Sequence, residues 1–248
     1  MKLLLAFMSF MSLAATTQAQ KTDTRYYETR IYYCYPGKLD ALIQRFTNHT
    51  TKIFEKHGME NVGYWVPVNN EQNTLNYILA YPSKEARDAS WKAFGADPEW
   101  KEVARKSEEN GKIVEKVVSF FMETADFSPA IKASTKRADR IFEMRTYSCF
   151  PGKTPDILKR FRDHTLKLFD KYQFQNIGYW TTIEKDSSQA KLFYMLAFTN
   201  EEQAKKSWEA FRADPVWIKV KEESEKNGKI VEKVESVFLK PLAFSKIR

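Results

Sequence analysis

The sequence contains little of the chemistry from which most recognisable enzyme sites are built. Its 248 residues include two cysteines and three histidines, and none of them has a second His or Cys at metal-ligand spacing. It also lacks a Gly-rich phosphate loop, a serine nucleophile elbow and a paired-cysteine motif. Nucleotide-dependent and triad chemistry are therefore excluded, and we expect neither a metal site nor a cofactor.

Charge of one sign is not concentrated anywhere along the chain. Forty Lys and Arg against 32 Asp and Glu give a net charge of +8, but the signs are interspersed. No basic run or aromatic-basic array typical of RNA-binding proteins is present, and a solvated mixed surface explains the charge. We therefore expect a small hydrophobic ligand as partner and no nucleic acid, and we leave self-association open.

Only the first residues form a long apolar run. Lys2 precedes the run from Leu3 to Phe10, which continues to Ala15, and Thr17 and Ala19 are small residues at the positions that a signal peptidase reads. The run is shorter than the roughly 20 residues of a membrane-spanning helix. We predict a cleaved signal peptide over residues 1–19, export to the periplasm or medium, and no transmembrane segment in the mature protein.

The rest of the chain is a tandem duplication. The stretch from Glu28 to Lys38 returns from Glu143 to Lys153, 115 residues later, and the offset becomes 117 residues from the third strand onward. With 43% apolar and 15% aromatic residues, the chain can bury a sizeable core. We predict one repeat over residues 20–125, a linker over 126–140 and a second repeat over 141–248, with Cys34 and Cys149 as two separate thiols.

Each repeat has the pattern strand, helix, strand, strand, helix pair, strand. The first strand alternates as a pleated strand does, the third is apolar throughout, and Asp-Pro divides the helix pair. This βαββαβ order predicts an α+β, ferredoxin-like unit with an antiparallel sheet and helices on one face. Because the other sheet face must also be buried, we expect the two repeats to pack sheet to sheet as a pseudo-twofold α/β barrel with the helices outside.

A combination of short motifs occurs in the same order in both repeats: E-x-R-x-Y with P-G-K, F-x-x-H, V/I-G-Y-W and D-P-x-W. This combination, over about residues 26–124 and 141–243, resembles the NIPSNAP family of the dimeric α/β barrel superfamily. The second repeat departs from it at Tyr172-Gln173, where the first has His57-Gly58. The resemblance implies the fold, with two copies in place of a homodimer, but no common reaction. The wider superfamily includes cofactor-free monooxygenases, lactone isomerases and haem-binding or haem-degrading enzymes.

The repeated polar face of the first strand is the best candidate site. It carries Glu28, Arg30 and Tyr32 in the first copy and Glu143, Arg145 and Tyr147 in the second. If the helices cover the more apolar strand face, these side chains meet between the sheets, with Trp65 and Trp180 as aromatic walls. They form either a salt-bridged core or a pocket in which Arg binds a carboxylate while Glu or Tyr moves a proton.

The repeated histidines are secondary candidates. His49 and His164 each follow a Phe by three residues, which predicts a position on the apolar helix face. We expect the protein to bind a small hydrophobic or aromatic ligand or to act as an interaction scaffold. The alternatives are a cofactor-independent monooxygenase or isomerase, and a haem-binding protein that uses one of these histidines.

Overall fold

The computed structural model describes residues 23–134 and 140–248. The predicted signal peptide, residues 1–19, lies outside the described residues, as does the part of the predicted linker at 135–139. Among the residues that are described, no helix combines the length and the apolar character that crossing a bilayer requires.

The first repeat has the predicted order of elements. A π-helical turn, Phe46–Thr50, lies inside its first helix and separates α1 from α2. The elements are β1 (Tyr26–Cys34), α1 (Leu39–Arg45), α2 (Thr51–Lys56), β2 (Glu60–Pro67), β3 (Thr74–Tyr81), α3 (Lys84–Ala96), α4 (Pro98–Ser107) and β4 (Val114–Thr124).

The second repeat follows the same order and has the same π-helical turn, here Phe161–Thr165. Its elements are β5 (Ile141–Cys149), α5 (Thr154–Arg160), α6 (Leu166–Lys171), β6 (Gln175–Thr182), β7 (Leu192–Phe198), α7 (Glu201–Ala213), α8 (Pro215–Glu225) and β8 (Val231–Pro241). A short 3-10 turn, Ser187–Gln189, lies between β6 and β7.

The eight strands close into one antiparallel barrel with the order β1-β3-β2-β8-β5-β7-β6-β4. Its two seams join strands of different repeats: β2 pairs with β8, with Trp65 opposite Pro241, and β4 pairs with β6, with Thr124 opposite Trp180. The predicted pseudo-twofold α/β barrel with outer helices is therefore confirmed. Closure gives each of these strands a paired neighbour on both sides.

The residues that follow the last strand of each repeat form hydrogen bonds with the other repeat. After β8, the amide of Leu242 donates to the carbonyl of Tyr64, and the amide of Tyr64 donates to Ser245 Oγ. After β4, Ala125 and Ser128 make the equivalent bonds to Tyr179 in the second repeat. These exchanged segments hold the two repeats together beyond the barrel seams.

The buried apolar side chains of the described residues form three clusters. One fills the barrel and contains side chains of both repeats, and each of the other two lies beneath the helices of one repeat. The third strand of each repeat, β3 and β7, is buried at every residue, as its apolar sequence predicts. The two cysteines are separate thiols, and burial raises the pKa of each to about 11.

The Asp-Pro breaks between paired helices are helix caps. Asp97 accepts a hydrogen bond from the amide of Glu99, and Pro98 occupies the first helical position of α4. His57 Nε2 lies 2.6 Å from the carboxylate of Asp97. In the second repeat, the hydroxyl of Tyr172 donates to the equivalent Asp214, also at 2.6 Å. Tyr172, which stands where the first repeat has His57, therefore keeps a hydrogen bond to the capping carboxylate.

Candidate functional site

A cavity of about 520 Å³ lies inside the barrel. Strands of both repeats line it, because alternate residues of each strand face inward. Its apolar walls are Ile31, Val118, Phe120, Met144, Phe193 and Val237, and its neutral polar groups include Asn76, Thr146 and Thr182. A chamber with mainly apolar walls and a few polar groups is typical of small-ligand sites.

A second cavity, of about 310 Å³, lies on the side of the hairpin between β2 and β3. It shares Ile31, Asn76 and Val237 with the larger cavity. The space inside the barrel therefore extends towards the β2–β3 hairpin and towards the β6–β7 hairpin.

The two ends of this space differ because the repeats have diverged at inward-facing positions. An offset of 117 residues pairs Asn76 with Phe193, Thr74 with Lys191 and Val118 with Glu235. Lys191, Glu235 and the nearby Glu184 all line the larger cavity. Charged groups therefore gather at the β6–β7 end.

The motif Asn-x-Gly-Tyr-Trp positions residues on both sides of the barrel wall. The hydroxyl of Tyr64 donates to Asn61 in the helix layer, whereas Trp65 packs inside the barrel. A Cβ on Gly63 would overlap the Trp65 ring, so glycine is what lets the indole fold back over its own strand. Trp180 repeats this arrangement, and the buried Nε1 of each Trp has no acceptor among the described residues.

The prediction that Glu28, Arg30 and Tyr32 point between the sheets is wrong. They point outward beneath the helices. Glu28 and Arg30 contact side chains of α3, and the Tyr32 ring packs against Phe46 in the π-helical turn. The Glu28 carboxylate accepts from Arg30 Nη1 at 2.7 Å, from Arg87 Nε and Nη2 at 3.0 and 2.9 Å, and from Trp91 Nε1 at 2.9 Å. The Arg30 guanidinium also stacks on the Trp91 ring, 4.3 Å from its centroid.

This environment keeps Glu28 ionised. Burial would raise its pKa, but the hydrogen bonds from Arg87 and the charge of Arg30 outweigh burial and lower the pKa below its ordinary value. A carboxylate so fully occupied is a poor proton acceptor. Of the two interpretations of this face, the geometry favours a structural ion-pair cluster over a proton-transfer site.

The second copy of the polar face lies in its own helix layer and does not meet the first across the barrel, so that prediction is also wrong. Glu143 accepts from Arg145, from Trp208 Nε1 at 2.6 Å and from Ser236 Oγ at 2.6 Å. The Tyr147 hydroxyl lies 3.4 Å from Arg145 Nη2. Since the barrel wall separates both clusters from Trp65 and Trp180, the eight predicted residues do not form one pocket.

His49 and His164 are exposed, so the prediction that they lie on the apolar helix face is wrong. The π-helical turn explains the error, because its wider turn changes which residues face the sheet. Thr50 and Thr165 face inward instead, and each hydroxyl donates to the carbonyl five residues earlier. Neither histidine lines the barrel cavity, which gives no support to a haem-binding role for them.

Sequence reasoning missed most residues that line the barrel. Met144 and Thr146 belong to the inward face of β5, whose outward face carries the repeated motif, and Val118 lies on β4 opposite Ile31 of β1. The available signal was the inward alternation Tyr27, Thr29, Ile31, which is less polar than its opposite. The motif drew attention to the wrong side of the same strand.

Comparison with known proteins places these features in a family. Residues 27–129 and 142–246 match the family model described as NIPSNAP. Protein NipSnap homolog 3A of Homo sapiens is 28% identical over 137 residues, which is 55% of this chain and 53% of that protein. The chain thus spans about half the length of the curated relatives it matches.

Solved structures repeat the complete two-unit fold. A protein provisionally named as a monooxygenase from Fusobacterium nucleatum aligns with a TM-score of 0.58 over 88% of this chain and 93% of its own, at 10% identity. An anthrone oxidase-like protein aligns with a TM-score of 0.56 over 91% and 96%, at 14% identity. At such identities the likeness extends to the fold alone.

Proposed function

Since this chain belongs to the NIPSNAP family through both of its repeats, we propose that its barrel binds a small hydrophobic or aromatic ligand. The observation that carries the proposal is the cavity of about 520 Å³ between the strands of the two repeats. Ligand sites for small molecules typically measure about 300–1,000 Å³. The space is therefore sufficient for a ring system or a branched chain.

The lining residues support one kind of ligand. Phe120, Met144 and Phe193 offer aromatic and thioether contacts to an apolar body. Asn76 and Thr146 offer neutral hydrogen-bonding groups, and the Asn76 amide is only weakly engaged, with Nδ2 3.5 Å from Thr74 Oγ1. A mainly apolar molecule with one or two polar atoms fits this lining.

Binding is better supported than turnover. The ionisable groups that line the cavity are Glu184, Lys191 and Glu235, and none of them is buried. An oxygenase or isomerase would need a base or an electrostatic partner beside the reacting atom. The enclosed part of the cavity offers apolar and neutral groups instead.

Two neighbouring valines on β4 provide the test. Val118 lines the cavity, whereas Val117 lies on the outer face and is 41% exposed. Val118→Trp should fill the cavity and weaken binding of the neutral fluorescent probe N-phenyl-1-naphthylamine by roughly tenfold or more. Val117→Trp should bind the probe as the unmodified protein does. Equal binding by both variants, with folding verified by circular dichroism, would contradict the proposal.

We also propose that the protein is exported after loss of residues 1–19. The support is the apolar run followed by small residues at the expected cleavage positions. Intact mass measurement of protein recovered outside the cytoplasm of a bacterial host should give a chain that begins at Gln20. Recovery of only the full-length chain in the membrane fraction would show an uncleaved anchor instead.

A further inference from the structure

The helix layer of the second repeat encloses a separate cavity of about 350 Å³. It lies between the helix that contains the π-helical turn, α8 and the outward face of β8. Its aromatic walls are Tyr147, Phe161, Phe169, Phe211 and Trp217. None of its lining residues lines the barrel cavity, so the two spaces can be tested independently.

A buried arginine lines this cavity. Arg160 is only 5% exposed, and its Nη1 donates to Ser224 Oγ at 3.2 Å and to Glu225 Oε1 at 3.1 Å. Its guanidinium lies 5.4 Å from the centroid of the Trp217 ring. Its buried Nε has no partner among the described residues. A buried donor on a charged group is costly to leave unpaired, so an acceptor at this position would be stabilised.

Two lysines add positive charge at the same place. Lys221 and Lys229 line the cavity, and neither takes part in an ion pair within the described ranges 23–134 and 140–248. Of the two carboxylates in the lining, Glu225 already pairs with Arg160, which leaves Glu232. The local balance therefore favours an anion beside the aromatic walls.

We propose that this cavity binds an aromatic carboxylate. The ring packs against Phe161, Phe211 and Trp217. The carboxylate accepts hydrogen bonds from Arg160, and the positive charge of Lys221 attracts it. Guanidinium groups suit carboxylates because their planar donors match the two carboxylate oxygens.

The first repeat contains a natural comparison. Arg45 is the counterpart of Arg160: its Nη1 donates to Ser107 and Glu108, and its Nε is likewise without a partner among the described residues. The counterpart of Lys221, however, is Ala104. Both repeats therefore have an arginine with an unpaired Nε, but only the second has a lysine, Lys221, beside it. We assign the site to the second repeat for this reason.

Isothermal titration with 1-naphthylacetate tests the proposal, with neutral 1-naphthylacetamide as the matched ligand. In the Val118→Trp variant, whose barrel cavity is filled, the acid should bind saturably and the amide much more weakly. Arg160→Lys, which keeps the charge but removes the guanidinium fork, should weaken binding of the acid by roughly tenfold or more. Lys221→Ala, an exposed position where the first repeat already has alanine, should weaken it by a smaller factor.

Two control variants locate the binding. Arg45→Lys should leave the affinity for 1-naphthylacetate unchanged, and so should Val118→Trp, which fills only the barrel cavity. Equal losses in Arg160→Lys and Arg45→Lys would overturn the assignment to the second repeat. Equal affinity for acid and amide, a loss in Val118→Trp, or no saturable binding of the acid would overturn the site itself.

Discussion

Arg87 donates from both Nε and Nη2 to the carboxylate of Glu28, at 3.0 and 2.9 Å. In the second repeat the residue aligned with Arg87 is Ala204, and Ser236 supplies a hydrogen bond to Glu143 instead. The same repeated motif therefore sits in two different charge environments. Glu28 balances two arginines, whereas Glu143 balances one.

Neutralising the two glutamates should have unequal effects on stability. Glu28→Gln leaves Arg30 and Arg87 without their shared counter-charge in a buried position, which should cost about 3–5 kcal/mol of unfolding free energy. Glu143→Gln leaves only Arg145 in that state and should cost less. Urea denaturation of both variants measures the difference. A Glu143 variant as unstable as the Glu28 variant would show that Arg87 contributes little.

The Glu28 cluster should also make stability depend on pH. Hydrogen bonds from Arg87 and the charge of Arg30 lower the pKa of Glu28 against the opposing effect of burial. A carboxylate whose pKa is lower in the folded state contributes its full stabilisation above its unfolded pKa, near 4.5, and loses it as the pH falls through the folded-state value.

Urea titrations at several pH values can check this sign. The difference in unfolding free energy between the unmodified protein and Glu28→Gln should be constant above about pH 5.5 and should shrink below about pH 4.5. A difference that grows on acidification would mean that burial, rather than the arginines, dominates the Glu28 environment.

The sequence was sufficient for the architecture because its signals are local and occur twice. The apolar runs of β3 and β7 predict fully buried strands, and Asp97 and Asp214 with their following prolines predict the helix breaks. Each rests on residues within one element. The duplication then required a way to bury two sheets, and the barrel provides it.

The orientation of the first strand could not be predicted in the same way. Both faces of β1 carry tyrosines, and although the face with Thr29 and Ile31 is the less polar one, the sequence does not say whether the helices or the other repeat cover it. The orientation of β1 depends on residues that are distant in the sequence. Arg87 and Trp91 of α3, 59 and 63 residues after Glu28, donate hydrogen bonds to the Glu28 carboxylate. The exposure of His49 depends on a π-helical turn, which a helical period of 3.6 residues does not anticipate.

The second-repeat departure at Tyr172 predicts that His57 can be exchanged for tyrosine. His57 and Tyr172 each form a hydrogen bond with a helix-capping aspartate. In the first repeat this aspartate is Asp97, and its hydrogen bonds with Lys56 and His57 lower its pKa well below the usual range. His57→Tyr should keep most of the stability of the unmodified protein, whereas His57→Ala should be clearly less stable. A tyrosine variant as unstable as the alanine variant would show that the imidazole has a role that tyrosine cannot fill. Thermal unfolding of the two variants makes the comparison.

Gly63 should be the least replaceable glycine in the first repeat, although its backbone angles do not require glycine. A Cβ there would collide with the Trp65 ring inside the barrel, and a well-packed interior resists such overpacking by about 1–3 kcal/mol. Gly95, in α3, is the matched control, because nothing lies within 4 Å of its added Cβ. Gly63→Ala should lower the melting temperature and quench or shift Trp emission, whereas Gly95→Ala should be neutral or stabilise the helix by about 0.5–1 kcal/mol. If Gly63→Ala proved as stable as Gly95→Ala, the close packing of indole on glycine would not be what fixes the Gly-Tyr-Trp motif in both repeats.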